Sequence, residues 1–72
     1  MNDRDDKIGM TGVVVESNTG LFRVRLDGTD SIVTCLPSGK IRKNKINIVL
    51  GDKVKVEMSP YDLTKGRIMF RL

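Results

Sequence analysis

The sequence predicts an all-β fold: five short strands closed into a small barrel, with one short helix between the third and fourth strands. Three observations predict it. Apolar and charged residues alternate in "LFRVRL" (21–26) and "KVKVEM" (53–58), the two-residue period of half-buried strands. Turn-forming clusters separate the apolar runs at short, regular spacing. Between the third run and "KVKVEM" lies "SGKIRKN" (38–44), which breaks the alternation and suits one and a half helical turns.

The elements follow in order. "TGVVVES" (11–17) is β-branched and forms the first strand, and "SNTG" (17–20) turns the chain. In the second strand Phe22, Val24 and Leu26 face one way, and Arg23 and Arg25 the other. "DGTD" (27–30) carries the Asp-Gly pair of a tight hairpin. "SIVTCL" (31–36) is the third strand, and Pro37 stops it because proline cannot donate to a ladder. Ser38 caps the helix and Asn44 ends it. Ile46, Ile48 and Leu50 then alternate with Asn47 and Val49, so the chain is expected to be extended again before the Gly51-Asp52 turn. "KVKVEM" is the fourth strand. "SPYDLTKG" (59–66) reads as a loop, and "RIMF" (67–70) as the fifth strand, with Ile68 and Phe70 inward and Arg67, Met69 and Arg71 outward.

Five strands with an insertion between the third and fourth is the pattern of the OB-fold, a partly open Greek-key barrel. An SH3-like barrel is the competing architecture. Residues 1–8 are expected to be a mobile arm and residues 9–72 a single S1-like OB-fold domain.

Composition excludes several kinds of chemistry. The chain has 72 residues, no His and one Cys, so a histidine-based nucleophile, a Cys/His zinc site and an internal disulfide are all ruled out. Cys35 reads as a small buried apolar residue. "SGKI" lacks the upstream glycine and the following Ser or Thr of a phosphate-binding loop. Asp3, Asp5 and Asp6 read as solvated charges. No catalytic, metal or cofactor site is expected, and the chain is not read as an enzyme. "MNDRDDKIGM" has no apolar run for a signal peptide, and no stretch approaches a membrane span. A soluble monomer in the cytoplasm or a similar reducing compartment is expected.

Charge is the informative property. Residues 1–39 carry four bases and six acids; residues 40–72 carry nine bases and three acids. A basic half on an ordinary domain points to a polyanion, most often nucleic acid. Lys40, Arg42, Lys43 and Lys45 crowd into six residues. Ile41 can anchor such a helix inward while the bases project toward phosphates, which Arg grips with paired hydrogen bonds and Lys with a point charge. Arg23, Arg25, Arg67 and Arg71 face outward from their strands and could join them. Lys65 and Tyr61 lie in the last loop, where Tyr61 either stacks on a base or packs at a barrel corner. With three aromatic residues and no aromatic strip, charge and shape should dominate over stacking.

"FRVRL", "SGKIRKN", "GDKVKVE" and "PYDLTKGRIMFR", in this order and spacing, strongly resemble bacterial-type translation initiation factor one. The similarity runs from about Gly12 to Arg71. The resemblance implies a single OB-fold domain without enzymatic activity. It implies binding to the small ribosomal subunit at the A site, against the decoding region of the 16S-type rRNA and a neighbouring ribosomal protein. It further implies that the chain blocks premature tRNA entry and assists the second and third initiation factors. On this chain the matching positions are Lys40, Arg42 and Lys43, then Arg23, then Tyr61, Lys65, Arg67 and Arg71. There are departures. After "RKN" the family commonly has an aromatic or His, then Ile and Arg; here Lys45 replaces the ring and Asn47 the base. Lys45 would restore the charge from a shifted position. "CLPSGK" is also unusual, with Leu36 and Pro37 where a His or apolar strand residue is typical. A plastid stroma is the alternative location. A general RNA-binding or RNA-chaperone OB-fold module, and a protein-interaction SH3-like barrel with a basic face, are the competing functions.

Overall fold

The computed structural model describes residues 7–72. The elements run β1 (Ile8–Asn18), β2 (Leu21–Leu26), β3 (Ile32–Pro37), α1 (Gly39–Lys43), β4 (Lys53–Ser59) and β5 (Asp62–Arg71). The strands close into a barrel in the order β1-β2-β3-β5-β4. All neighbours are antiparallel except β3 and β5, which pair in parallel from Thr34↔Lys65 to Pro37↔Ile68. A parallel pair cannot be joined by a hairpin. The chain instead crosses from β3 through α1 and β4 before returning as β5. This is the OB-fold ring, with the helix in the place the sequence predicts.

β1 is long because it serves two partners. Its first part pairs with β4 and its second with β2, and Gly12 stands at the changeover, opposite both Leu26 and Val54. A Cβ at Gly12 would lie 2.5 Å from the Arg25 carbonyl oxygen and 2.6 Å from Val24 Cγ1. Only glycine lets the strands approach this closely at the bend. A register shift between Val14 and Glu16 adds a bulge just beyond it.

The core consists of Val14, Val24, Leu26, Val33, Cys35, Ile41, Ile48, Val54, Val56, Met58 and Ile68, with Met10, Phe22 and Ile46 packed against it. These are the inward positions of the alternating strands, plus the anchors of α1 and of the segment after it. Burial pushes the Cys35 thiol up to about 11, so it stays protonated at neutral pH.

Four expectations shift. β1 begins at Ile8, which pairs with Met58, so the strand starts inside the stretch expected to be an arm; residues 1–6 of that stretch lie outside the described residues. β5 begins at Asp62, so Lys65 lies on a strand where a loop was expected. Phe70 is not inward. Between β4 and β5 the pairs Lys55↔Phe70 and Val56↔Ile68 leave Met69 as an extra residue, and this bulge turns Phe70 outward to 46% exposure. Finally, residues 46–49 form no strand. Ile48 is buried and Ile46 partly so, but Leu50 is exposed. The segment crosses the barrel end and finds no free strand edge to pair with.

Candidate nucleic-acid interface

The helix that carries the densest charge is five residues long. A helix this short has no stability alone and must be held by its surroundings. Ser38, only 3% exposed, supplies much of that hold. Its Oγ accepts from the Ile41 amide at 3.3 Å, and its carbonyl accepts from the Arg42 amide at 3.1 Å. Its own amide donates to the Ile68 carbonyl at 3.0 Å, which pins the helix start to β5. Ile41 enters the core. Lys40, Arg42 and Lys43 are therefore turned to solvent, as the sequence predicts. Asn44 ends the helix, and Lys45 follows in the left-handed region at φ 54°.

The bases of α1 meet those of β5 across a groove. One recess, of about 320 Å³, is lined by Leu36, Pro37, Gly39, Arg42 and Arg67. A second, of about 230 Å³, shares Leu36 and Arg67 and continues along β5 past Lys65, Lys7 and Glu57. Together they run from α1 along the β3–β5 seam, with four bases and one acid on their walls. On the other side of α1, Arg42 and Lys45 flank a third recess, of about 330 Å³, floored by Phe22, Ile41, Ile46 and Ile48. Arg42 thus borders two recesses. Lys40 stands over the Phe70 ring, with Nζ 5.5 Å from its centroid. At so exposed a site this contact is worth about 0.5–1 kcal/mol, enough to orient the lysine but not to hold it.

The strand bases divide. Arg23 is opposite Thr34, and Thr34 is opposite Lys65, so one row crosses β2, β3 and β5 and brings Arg23 toward the groove. Arg23 also makes a loose ion pair with Glu16, at 3.9 Å between exposed groups, which holds it weakly. Arg25 lies elsewhere. It neighbours Val13 and Ile32 and borders the β2–β3 turn with Asp27 and Asp30. There the Asp27 carboxyl is held below the usual aspartate value, chiefly by hydrogen bonds from Lys53 and Thr11, with the charges of Lys53 and Arg25 adding less. Tyr61 sits at the β4–β5 turn and is 69% exposed. Asp62 beside it is also held low, by hydrogen bonds from the Thr64 side chain and backbone. Arg71 turns its Nη1 to the Asn47 carbonyl at 3.0 Å.

Two groove residues, Leu36 and Lys7, and the ring beneath Lys40 escaped the sequence reading. Phe70 was placed inside because nothing in "RIMFR" marks Met69 as a bulge. Leu36 was noted only as unusual, and Lys7 fell in the expected arm. Of the candidates, Arg42, Lys65 and Arg67 line the groove; Lys45 lies with Arg42 on the other side of α1, Lys40 stands over Phe70, and Arg25 and Tyr61 line none of these recesses. Among the described residues, no group of three or more His, Cys, Asp or Glu could hold a metal ion, and no helix is long and apolar enough to cross a membrane. What the groove offers is a line of positive charges, two of them from Arg, beside Leu36 and Met58. That arrangement suits a phosphate backbone followed along its length.

Comparison with known proteins narrows this. The family model for the RsgA N-terminal domain matches residues 11–68. The solution structure of translation initiation factor one from the Wolbachia endosymbiont strain TRS of Brugia malayi is 43% identical, covers 93% of this chain and 79% of that one, and superposes with a TM-score of 0.77. The chain belongs to the family of translation initiation factor one, beside the RsgA N-terminal domain among OB domains. Two further solved structures extend the fold relation. YjeQ from Thermotoga maritima is 26% identical with a TM-score of 0.75, over 90% of this chain. YloQ, a circularly permuted GTPase, is 24% identical with a TM-score of 0.76, over 90% of this chain. This chain spans 23% of each, so it corresponds to one part of them. The match to the Wolbachia factor leaves out too little of this chain to exclude both α1 and the strands of the groove.

Proposed function

We propose that this chain of the initiation factor one family is a translation initiation factor that binds the small ribosomal subunit at the A site through 16S-type rRNA. The observation that carries the reading is the basic groove between α1 and β5 on a chain 43% identical to an initiation factor one. Lys40, Arg42, Lys43 and Lys45 approach the rRNA backbone from the helix and its exit. Arg67, Lys65 and Arg23 extend the contact along the β3–β5 seam. Arg25 and Tyr61 are outlying contacts, Tyr61 by stacking. Shape and charge dominate, because no aromatic ring lines the groove.

A domain of 34 × 30 × 20 Å lying against the decoding region fills the space a tRNA would enter. Blocking is then steric and requires no chemistry from the protein. A neighbouring ribosomal protein and the second and third initiation factors complete the partner set. The chain acts as a monomer in the cytoplasm, or in a plastid stroma if it serves there.

Chemical probing of small-subunit rRNA with and without the protein tests the reading. Protection should cluster in the decoding region and disappear with Lys40→Glu combined with Arg42→Glu. A Lys45→Glu exchange should weaken protection as much as Lys40→Glu alone if Lys45 replaces the missing base at Asn47. Protection scattered over the subunit would favour a general RNA-binding module. No protection anywhere would leave the groove to an acidic protein.

A further inference from the structure

Between α1 and β4 the chain crosses the barrel end without strand pairing, and it carries Lys45 at its start. Its two ends are fixed by backbone. The Lys45 and Ile46 amides donate to the Arg42 and Ile41 carbonyls, and the Gly51 amide donates to the Val14 carbonyl at 2.8 Å. Its middle is held differently. Ile48 is buried in the core, and the Asn47 carbonyl accepts from Arg71 Nη1 at 3.0 Å across 24 residues of sequence. Arg71 can reach because β5 is itself held to its end: Arg71 is opposite Val54, and the Leu72 amide donates to the Lys53 carbonyl at 2.8 Å. The Met69 bulge sets this register. Arg71 lines none of the three basic recesses around α1.

We infer that Arg71 is a positioning residue of the rRNA interface, clamping the α1–β4 connection through the Asn47 carbonyl so that Lys45 and the end of α1 are presented in one geometry. The inference rests on the proposed rRNA-binding reading for its consequence, but not for the clamp itself. One of the Arg71 guanidinium's five N–H donors is committed to a backbone carbonyl within the protein. Lys45 lies two residues before the clamped carbonyl, held on its helix side by the Lys45 and Ile46 amides. Its left-handed backbone is uncommon for a long side chain, and it persists only where neighbouring structure enforces it.

Two variants of the full chain separate clamp from phosphate contact. Arg71→Ala removes the donor and the charge. Arg71→citrulline, made by semisynthesis near the C-terminus, keeps one terminal NH2 donor at the same reach and exchanges the other for a carbonyl oxygen, which removes the charge. In the free protein, Arg71→Ala should speed amide exchange at Ile46, Val49, Gly51 and Asp52 roughly five- to tenfold, while Val24 and Val33 change less than about twofold. Citrulline should restore parental exchange. Unchanged exchange in the connection, or equal acceleration everywhere, would overturn the clamp. On small subunits, citrulline should bind within about twofold of the parent with the same salt dependence, and Arg71→Ala should bind more weakly. A citrulline protein whose slope of log affinity against log salt is shallower by about 0.7–0.9 would make Arg71 a phosphate contact and overturn the inference. If the parent chain does not bind small subunits, the ribosomal reading fails, and the exchange experiment still decides the clamp.

Discussion

Replacing Ser38 by alanine removes one oxygen atom and, with it, the hold on the helix that carries the proposed interface. Ser38 is 3% exposed, and its Oγ is the side-chain acceptor for the Ile41 amide. Ile41 is itself buried, so water cannot readily take over that hydrogen bond. Loss of an N-cap costs about 1 kcal/mol, and an unsatisfied buried donor pushes the cost toward 2. In a domain of this size 1–2 kcal/mol lowers Tm by about 5–15 °C. Gly39→Ala provides the opposite case in the same helix. A Cβ there meets nothing within 4 Å, and alanine gains up to about 1 kcal/mol of helix propensity over glycine. Urea denaturation of both variants beside the parent measures the pair. Ser38→Ala should fall by about 1–2 kcal/mol on these grounds, and Gly39→Ala should rise. A Ser38→Ala protein within about 0.3 kcal/mol of the parent would refute the cap as the source of the order in α1.

Other outcomes follow from the same geometry. Gly12→Ala drives a Cβ into the Arg25 carbonyl, so it should cost about 3 kcal/mol, and near-parental stability in urea would mean the β1 bend is looser than described. Lys45→Asn places a residue tolerant of positive φ at φ 54°, so stability should rise by about 0.5–1 kcal/mol while the salt slope of small-subunit binding becomes shallower by about 0.7–0.9; a loss of stability would argue against backbone strain there. Asp27 is held below its ordinary value first by Lys53, then by Thr11, so its contribution to stability is present above about pH 3.9 and fades as pH falls through the lowered folded value. Lys53→Ala should move the Asp27 titration upward in an NMR pH series, and an unmoved titration would discount the Lys53 hydrogen bond.

Much of the barrel was legible because each strand obeys a period set by its own burial. Val24 and Leu26, or Val54, Val56 and Met58, need no partner to reveal which face is inward. The helix was legible for a similar reason: Ser38, Ile41 and Asn44 carry cap, anchor and stop within seven residues. What could not be read is what depends on a neighbour. The Met69 bulge exists because β5 must pair with β4 across a closed ring, and it alone turns Phe70 outward beneath Lys40. The alternation of Ile46, Ile48 and Leu50 looked like a strand, but no edge was left for one. The long reach of Arg71 to Asn47 joins residues whose adjacency only the finished barrel creates. Charge clustering in "KIRKNK" placed the centre of the proposed interface in sequence. Lys65 and Arg67 were candidates from the sequence as well; that they border one groove with Arg42, and that Arg25 lies away from it, came from the closed barrel.

The most direct measurement is binding of the purified protein to isolated small ribosomal subunits over a range of salt concentrations, with large subunits as the control. Neutralisation of about five phosphates should give a slope of log affinity against log salt of roughly −3.5 to −4.5, with one-to-one binding confined to the small subunit. Equal affinity for both subunits, or binding that does not respond to salt, would contradict an initiation factor acting through this groove.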